Sequence, residues 1–145
     1  MNSDPEVMRY FPQALDRVQS DLFAGLIQIG LEEKEHGLWA VELRNDGSLP
    51  PAHFIGFVGL SEPIWDAPFT PCIEIGWRLS RSFWGRGFAT EAAKHVLDFG
   101  FQVLKLNEVL SFTSLLNARS MAVMERLGMT SDVTENFDHP KIETN

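Results

Sequence analysis

The run Ile73-Glu74-Ile75-Gly76-Trp77-Arg78-Leu79, continued through Ser80 to Phe83 into Trp84-Gly85-Arg86-Gly87-Phe88-Ala89-Thr90, decides how this chain is read. Ile73, Ile75, Trp77 and Leu79 alternate with Glu74, Gly76 and Arg78, which is the period of a β-strand. From Phe88 to Leu104 the pattern changes to that of a helix. Ala89, Ala92, Ala93, Val96, Leu97, Gly100 and Leu104 form one face, and Glu91, Lys94, His95, Asp98 and Gln102 the other. The first turn of a helix carries backbone N–H groups without partners, and the macrodipole adds partial positive charge there. Gly85 and Gly87 place no side chain in the way, and Ala89 is nearly as small. Backbone amides between Trp84 and Thr90 can therefore receive an anion. Spacing alone leaves open a tight strand-to-helix connection that binds nothing. The dinucleotide pattern Gly-x-Gly-x-x-Gly fails at Thr90, and no Gly-Lys-Ser/Thr follows.

Working upstream, Cys72 to Leu79 is the last of three predicted strands that precede the Gly-rich turn. His53 to Leu60 and Leu38 to Leu43 are the others, with Asn45-Asp46-Gly47 as a turn between them and a proline-rich loop from Glu62 to Pro71. A helix is predicted from Pro12 to about Gly37, with Leu15, Val18, Leu22, Leu26 and Ile29 as its inner stripe. Asp4 and Pro5 suit a short helical turn reaching Arg9. Downstream, Glu108 to Thr113 reads as a strand, and Asn117 caps a helix that ends at Gly128. Thr130 to Asn145 is polar and weakly patterned. The order predicts one α/β domain over residues 1–145. Its sheet is mixed but mostly antiparallel and flanked by helices, with a central strand–helix–strand unit. Phe54, Phe57, Trp77, Phe99 and Phe101 are read as core. Tyr10, Trp39, Trp65 and Phe69 either pack or line an acceptor pocket.

A chain of 145 residues has room for one hydrophobic core. The net charge of −8, from 20 acidic and 12 basic side chains, argues against nucleic acid as the main partner and favours a cationic one. No apolar run is long enough to span a membrane, and the first residues lack the pattern of a secretory leader. Cys72 is the only cysteine, so an internal disulfide is excluded and a cytoplasmic location is expected. His36, His53, His95 and His139 have no metal-ligand spacing, and no metal is expected.

The stretch Trp84-Gly85-Arg86-Gly87-Phe88-Ala89 resembles the acetyl-CoA signature of the GNAT superfamily of N-acetyltransferases, Arg/Gln-x-x-Gly-x-Gly/Ala. Phe83 to Ala92 is similar, without a gap, to the longer run of the ribosomal-protein-alanine N-acetyltransferase branch, in which Trp stands in the first signature position. Asn117-Ala118-Arg119-Ser120, continuing to Glu125-Arg126-Leu127-Gly128-Met129, resembles the family's Asn-x-x-Ser…Glu-x-Leu-Gly-Phe segment. The resemblance covers about Asp4 to Met129. Set against the family, the chain starts late and stops early; the alternatives are a truncated gene product and a chain completed by a partner, such as a second copy in a homodimer.

The resemblance implies acetyl-CoA as cosubstrate and a primary amine, either a protein N-terminal α-amine or a small molecule, as acceptor. It implies a V-shaped gap between the strand ending at Leu79 and the strand ending at Thr113. The pantetheine arm would pair there with backbone at Trp77 and Leu79, and amides of Trp84, Gly85, Arg86, Gly87, Phe88, Ala89 and Thr90 would hold the pyrophosphate. Asn117 would bond the pantetheine arm, and Ser120 would lie near sulfur or phosphate. The attacking amine must first lose a proton. Glu74 is the first candidate for that base and Glu62 the second. The other reading of Glu74 is a salt bridge to an arginine of a neighbouring element. A strand N–H between Ile75 and Trp77 would serve the oxyanion. The expected activity is acetyl transfer, with Glu74 and Ser120 as catalytic candidates. A catalytically silent CoA-binding module and an interaction domain are the alternatives.

Overall fold

In the computed structural model, residues 1–44 and 53–140 are described. The predicted turn at Asn45-Asp46-Gly47 lies outside them. The elements in chain order are helix α1 (Arg17–Glu33), strands β1 (Leu38–Leu43), β2 (His53–Ser61) and β3 (Glu74–Leu79), helix α2 (Phe88–Gln102) and helix α3 (Ala118–Arg126). The strands form an antiparallel sheet in the order β1-β2-β3. In β2–β3 the register sets Val58 opposite Trp77 and Leu60 opposite Ile75.

Antiparallel neighbours opposite one another point to the same face, so the sheet has two distinct sides. One carries Val58, Leu60 and Ile75. It meets Ala93 and Val96 of α2 and Val109 in the core, where Trp39, Trp77, Leu127 and Met129 also pack. Val58, Leu60 and Ile75 are fully buried; each such side chain contributes about 1.5–3 kcal/mol of burial free energy. The predicted face of α2 is the one that packs, with Ala93, Val96 and Gly100 buried. The opposite side of the sheet carries Phe57, Glu74, Gly76 and Arg78.

Helix α1 departs from expectation. It starts at Arg17, because Asp16 and Gln19 form a capping box that fixes its first turn. The predicted inner stripe faces solvent: Val18, Leu22, Leu26 and Ile29 are 50–68% exposed. The face that turns inward carries Ser20, Phe23, Ile27 and Leu31. Both faces are apolar at helical spacing. The second prevails because Phe23 meets Phe57 edge-on at 5.8 Å and Ser20 accepts a hydrogen bond from Asn2 at 2.8 Å. Phe54 and Phe101, read as core, are also exposed, at 51% and 44%. Phe54 sits beside the register break at Val41/Glu42, and Phe101 points outward from the last turn of α2.

Candidate functional site

The Gly-rich turn is open. Gly85 and Gly87 have φ of 70° and 83°, the left-handed region where a side chain is strained. A Cβ added at either would meet nothing within 4 Å. Gly87 is the N-cap of α2 and offers no side chain to its amides. The first helical bond runs from Glu91 N–H to Gly87 C=O. The N–H groups of Phe88, Ala89 and Thr90 thus lie ahead of the ladder. By contrast Asp16 caps α1 and Asn117 caps α3. The Trp84 indole Nε1 donates to the Leu79 carbonyl at 2.9 Å, pinning the turn under the end of β3. Two cations flank it: Arg86 lies 4.9 Å over the Phe88 ring, and Arg119 lies 4.8 Å over Trp84. Arg119 was not singled out in the sequence, where it occupies a variable position of the Asn117–Ser120 motif. Only the fold brings its charge to the Gly-rich turn, so the sequence carried no local signal for it.

The gap beside β3 opens just past a single bridge. Ile75 N–H donates to Leu110 C=O at 2.8 Å, and Leu110 N–H donates to Ile73 C=O at 2.9 Å. The predicted strand Glu108–Thr113 is reduced to this single parallel bridge between Glu74 and Leu110. The Ser111 hydroxyl takes the Ile75 carbonyl at 3.0 Å, the acceptor that the Phe112 amide would use to extend a parallel ladder. Pairing ends there and the segments part. Backbone groups alternate between the two edges of a strand, so Trp77 and Leu79 turn theirs to this open edge. The Leu79 carbonyl is already held by Trp84, which leaves its N–H.

Glu74 is half-buried on the far side of the sheet from α2. Burial pushes its carboxyl up to about 7, and a hydrogen bond from Ser61 opposes that shift. No arginine pairs with it among the described residues, so the salt-bridge reading fails. Arg78, on the same face, stacks over Phe11 at 4.1 Å instead. Glu62 pairs at the surface with Lys34 at 2.9 Å, lies 3.6 Å from His36 Nε2, and is 48% exposed. An engaged, solvated acid is a weaker base candidate than Glu74. Burial, then the charges of Glu74 and Glu108, push the Cys72 thiol up, against a nucleophilic role.

Asn117 is the N-cap of α3. Its Oδ1 accepts from Ser120 N–H at 3.2 Å, and its Nδ2 donates to Thr113 Oγ1 at 2.9 Å and to Ser120 Oγ at 3.1 Å. This ties α3 and Ser120 to the far wall of the gap. Tyr10, distant in sequence, donates its hydroxyl to the Leu116 carbonyl at 2.9 Å, one residue before that cap. Trp39 packs on Phe99 against α2, away from Glu74. Trp65 and Phe69 join Phe112 and Phe137 in an aromatic cluster. The 62–71 loop is thereby anchored on the residue after Ser111.

Residues 1–130 match the family model described as Acetyltransferase (GNAT) domain. The uncharacterized protein YkkB of Bacillus subtilis (strain 168) is 30% identical over 129 residues, covering 88% of this chain and 70% of that protein. FsC-acetyl coenzyme A-N(2)-transacetylase of Aspergillus fumigatus is 42% identical over 69 residues, 46% of this chain and 29% of its own length. The crystal structure of an acetyltransferase from Agrobacterium tumefaciens str. C58 superposes with a TM-score of 0.75 at 27% identity, over 96% of this chain and 75% of that one. With the Gly-rich turn, the uncapped helix and the split beside β3 in place, the chain belongs to the GNAT acetyltransferases, enzymes that transfer an acetyl group from acetyl-CoA to an amine.

Proposed function

We propose that this chain acetylates a primary amine with Glu74 as its base, holding the donor on the amides of Trp84 to Thr90. The observation that carries the reading is the pair Gly85 and Gly87, exposed, left-handed and facing open space ahead of an uncapped helix. Phosphate oxygens fit such a place, because amides and dipole act together and no side chain must move. Arg86 and Arg119 add positive charge in an otherwise acidic protein. The C=O of Trp77 and the N–H of Leu79 are the groups left to pair with the pantetheine arm. Asn117 reaches the same gap through its amide, and Ser120 lies beside it.

The reaction forms a C–N bond and breaks the thioester C–S bond, and the departing thiolate takes up a proton. Glu74, held near neutrality, accepts a proton from the incoming ammonium at physiological pH. The Ile75 amide is committed to Leu110, and that of Gly76 turns toward its partner Gly59 in β2. Trp77 therefore has the strand N–H free for the oxyanion. The ribosomal-protein-alanine branch is supported by the Phe83–Ala92 run. Incubation of the purified protein with acetyl-CoA and an amine panel, with thiol release followed by colour, tests the proposal. Amine-dependent release that falls at least tenfold in Glu74→Gln is expected, as for the loss of a general base; a rate independent of added amine contradicts it.

A further inference from the structure

Arg78 is the one basic group on the Glu74 face of β3. Its Nη1 donates to Asn2 Oδ1 at 3.0 Å, a neutral partner, and its Nε is buried without a partner among the described residues. Phe11, Phe57 and Phe23 surround the guanidinium at 4.1, 5.2 and 5.6 Å. Among the described residues no carboxylate forms an ion pair with it. Burial lowers its pKa to about 10, which leaves it charged at neutral pH. A desolvated guanidinium without an anion is costly, and a carboxylate is the partner its fork of donors matches. Arg78 also lines a pocket of about 270 Å³ with Met8, Phe11, Leu15 and Phe23. The site therefore offers apolar walls around one cation.

Its position relates it to the reaction. Arg78 is four residues beyond Glu74 on the same face, about 13 Å along the strand at ~3.3 Å per residue. The residue between them on that face is Gly76. A Cβ there would meet only Glu74 Oε1, at 3.9 Å. The path from the base to the pocket is thus clear of side chains at its midpoint.

We infer that the acceptor is an elongated primary amine with a carboxylate at its far end: the amine is presented to Glu74, the carboxylate is held by Arg78, and the chain between passes over Gly76. The inference rests on the acetyl-transfer reading above and adds the acceptor's class to it. The apolar lining suits a methylene chain, and recognition of the charged end by Arg78 offsets the repulsion an acidic protein exerts on an anion.

The test measures kcat/KM by thiol release for ε-aminocaproate and ω-aminocaprylate, their amides, and n-hexylamine. The wild-type protein should prefer the acids over their amides by about tenfold or more, the worth of one charge-assisted pair. Arg78→Met, of similar shape, should bring acid and amide within about twofold by raising KM for the acid. Gly76→Val should cut turnover of all of them while calorimetry shows CoA affinity retained. Turnover of amines with acids and amides used equally by the wild-type protein overturns this inference alone. Absence of thiol release with every amine overturns acetyl transfer to amines itself. If Arg78→Met fails to fold, the wild-type comparison of acid with amide decides.

Discussion

The indole N–H of Trp84 donates to the carbonyl of Leu79 across 2.9 Å, so the last residue of β3 and the first residue of the signature turn are held together. Trp occupies the place where the family signature has Arg or Gln. Here its ring spans from the strand end to Arg119 of α3, 4.8 Å away. One side chain thus links the three elements that frame the turn: β3, the start of α2 and the start of α3. The glycine amides cannot fold back against the sheet, and they stay at the mouth of the gap.

Trp84→Phe keeps the ring and removes the donor. Unfolding in urea should show a loss of about 1 kcal/mol, the net worth of one hydrogen bond. CoA affinity by calorimetry should fall severalfold, because the turn loses its anchor. Unchanged affinity would mean that the anchor does not organise the site.

The Glu74 carboxyl gives two opposite pH dependences. Burial raises its pKa to about 7 from an ordinary 4.5. The folded state therefore binds more protons than the unfolded one between those values, and stability falls as pH rises through that window. Glu74→Gln should be more stable than wild type at pH 8, by up to ~3 kcal/mol, and should show no such gain at pH 4. Activity runs the other way, since a base must be ionised: kcat/KM should rise through an apparent pKa near 7. A pH–rate profile for wild type and Glu74→Gln checks this, with the acid limb missing in the variant.

Ser61 hydrogen-bonds to the Glu74 carboxylate and opposes its rise. Ser61→Ala should move the acid limb of the pH–rate profile to higher pH and leave CoA affinity as it was. A limb that stays in place would show that the hydroxyl does not stabilise the ionised base.

Ser111→Ala frees the Ile75 carbonyl, now satisfied by the hydroxyl. The Phe112 amide is then able to continue the parallel ladder and narrow the gap. Expected are a stability change within about 1 kcal/mol, because a backbone bond replaces a side-chain one, and weaker CoA binding. Amide hydrogen exchange at Phe112, slowed in the variant, reports the closure directly.

The sheet and the helix after it were legible because burial there is one-sided and the periods are clean. Leu38 to Leu43 ends where predicted, and β2 differs from the prediction by one residue. Helix α1 was misread because it has two apolar faces. Periodicity finds a stripe but does not choose between Val18/Leu22/Leu26 and Phe23/Ile27/Leu31; the contacts of Phe23 with Phe57 and of Asn2 with Ser20 do that. The strand predicted at Glu108–Thr113 stops at one bridge, where the Ser111 hydroxyl bonds the ladder acceptor at Ile75, a contact no propensity carries. At the site, the glycines and Glu74 could be read locally. Arg78's lack of an anion and Arg119's place over Trp84 depend on residues 76 and 35 positions away, and only the folded chain brings these together.

The central claim is that diphosphate sits on the amides opened by Gly85 and Gly87, and calorimetry of CoA with three proteins tests it. Wild type should bind. Gly87→Ala, which bears the left-handed strain of about 1 kcal/mol without a charge, should bind more weakly but measurably. Gly87→Glu, folded by circular dichroism, should give no heat of binding, because its carboxylate stands where the phosphates would. If Gly87→Glu binds CoA as tightly as the wild-type protein, the turn is not the cofactor site and the account fails.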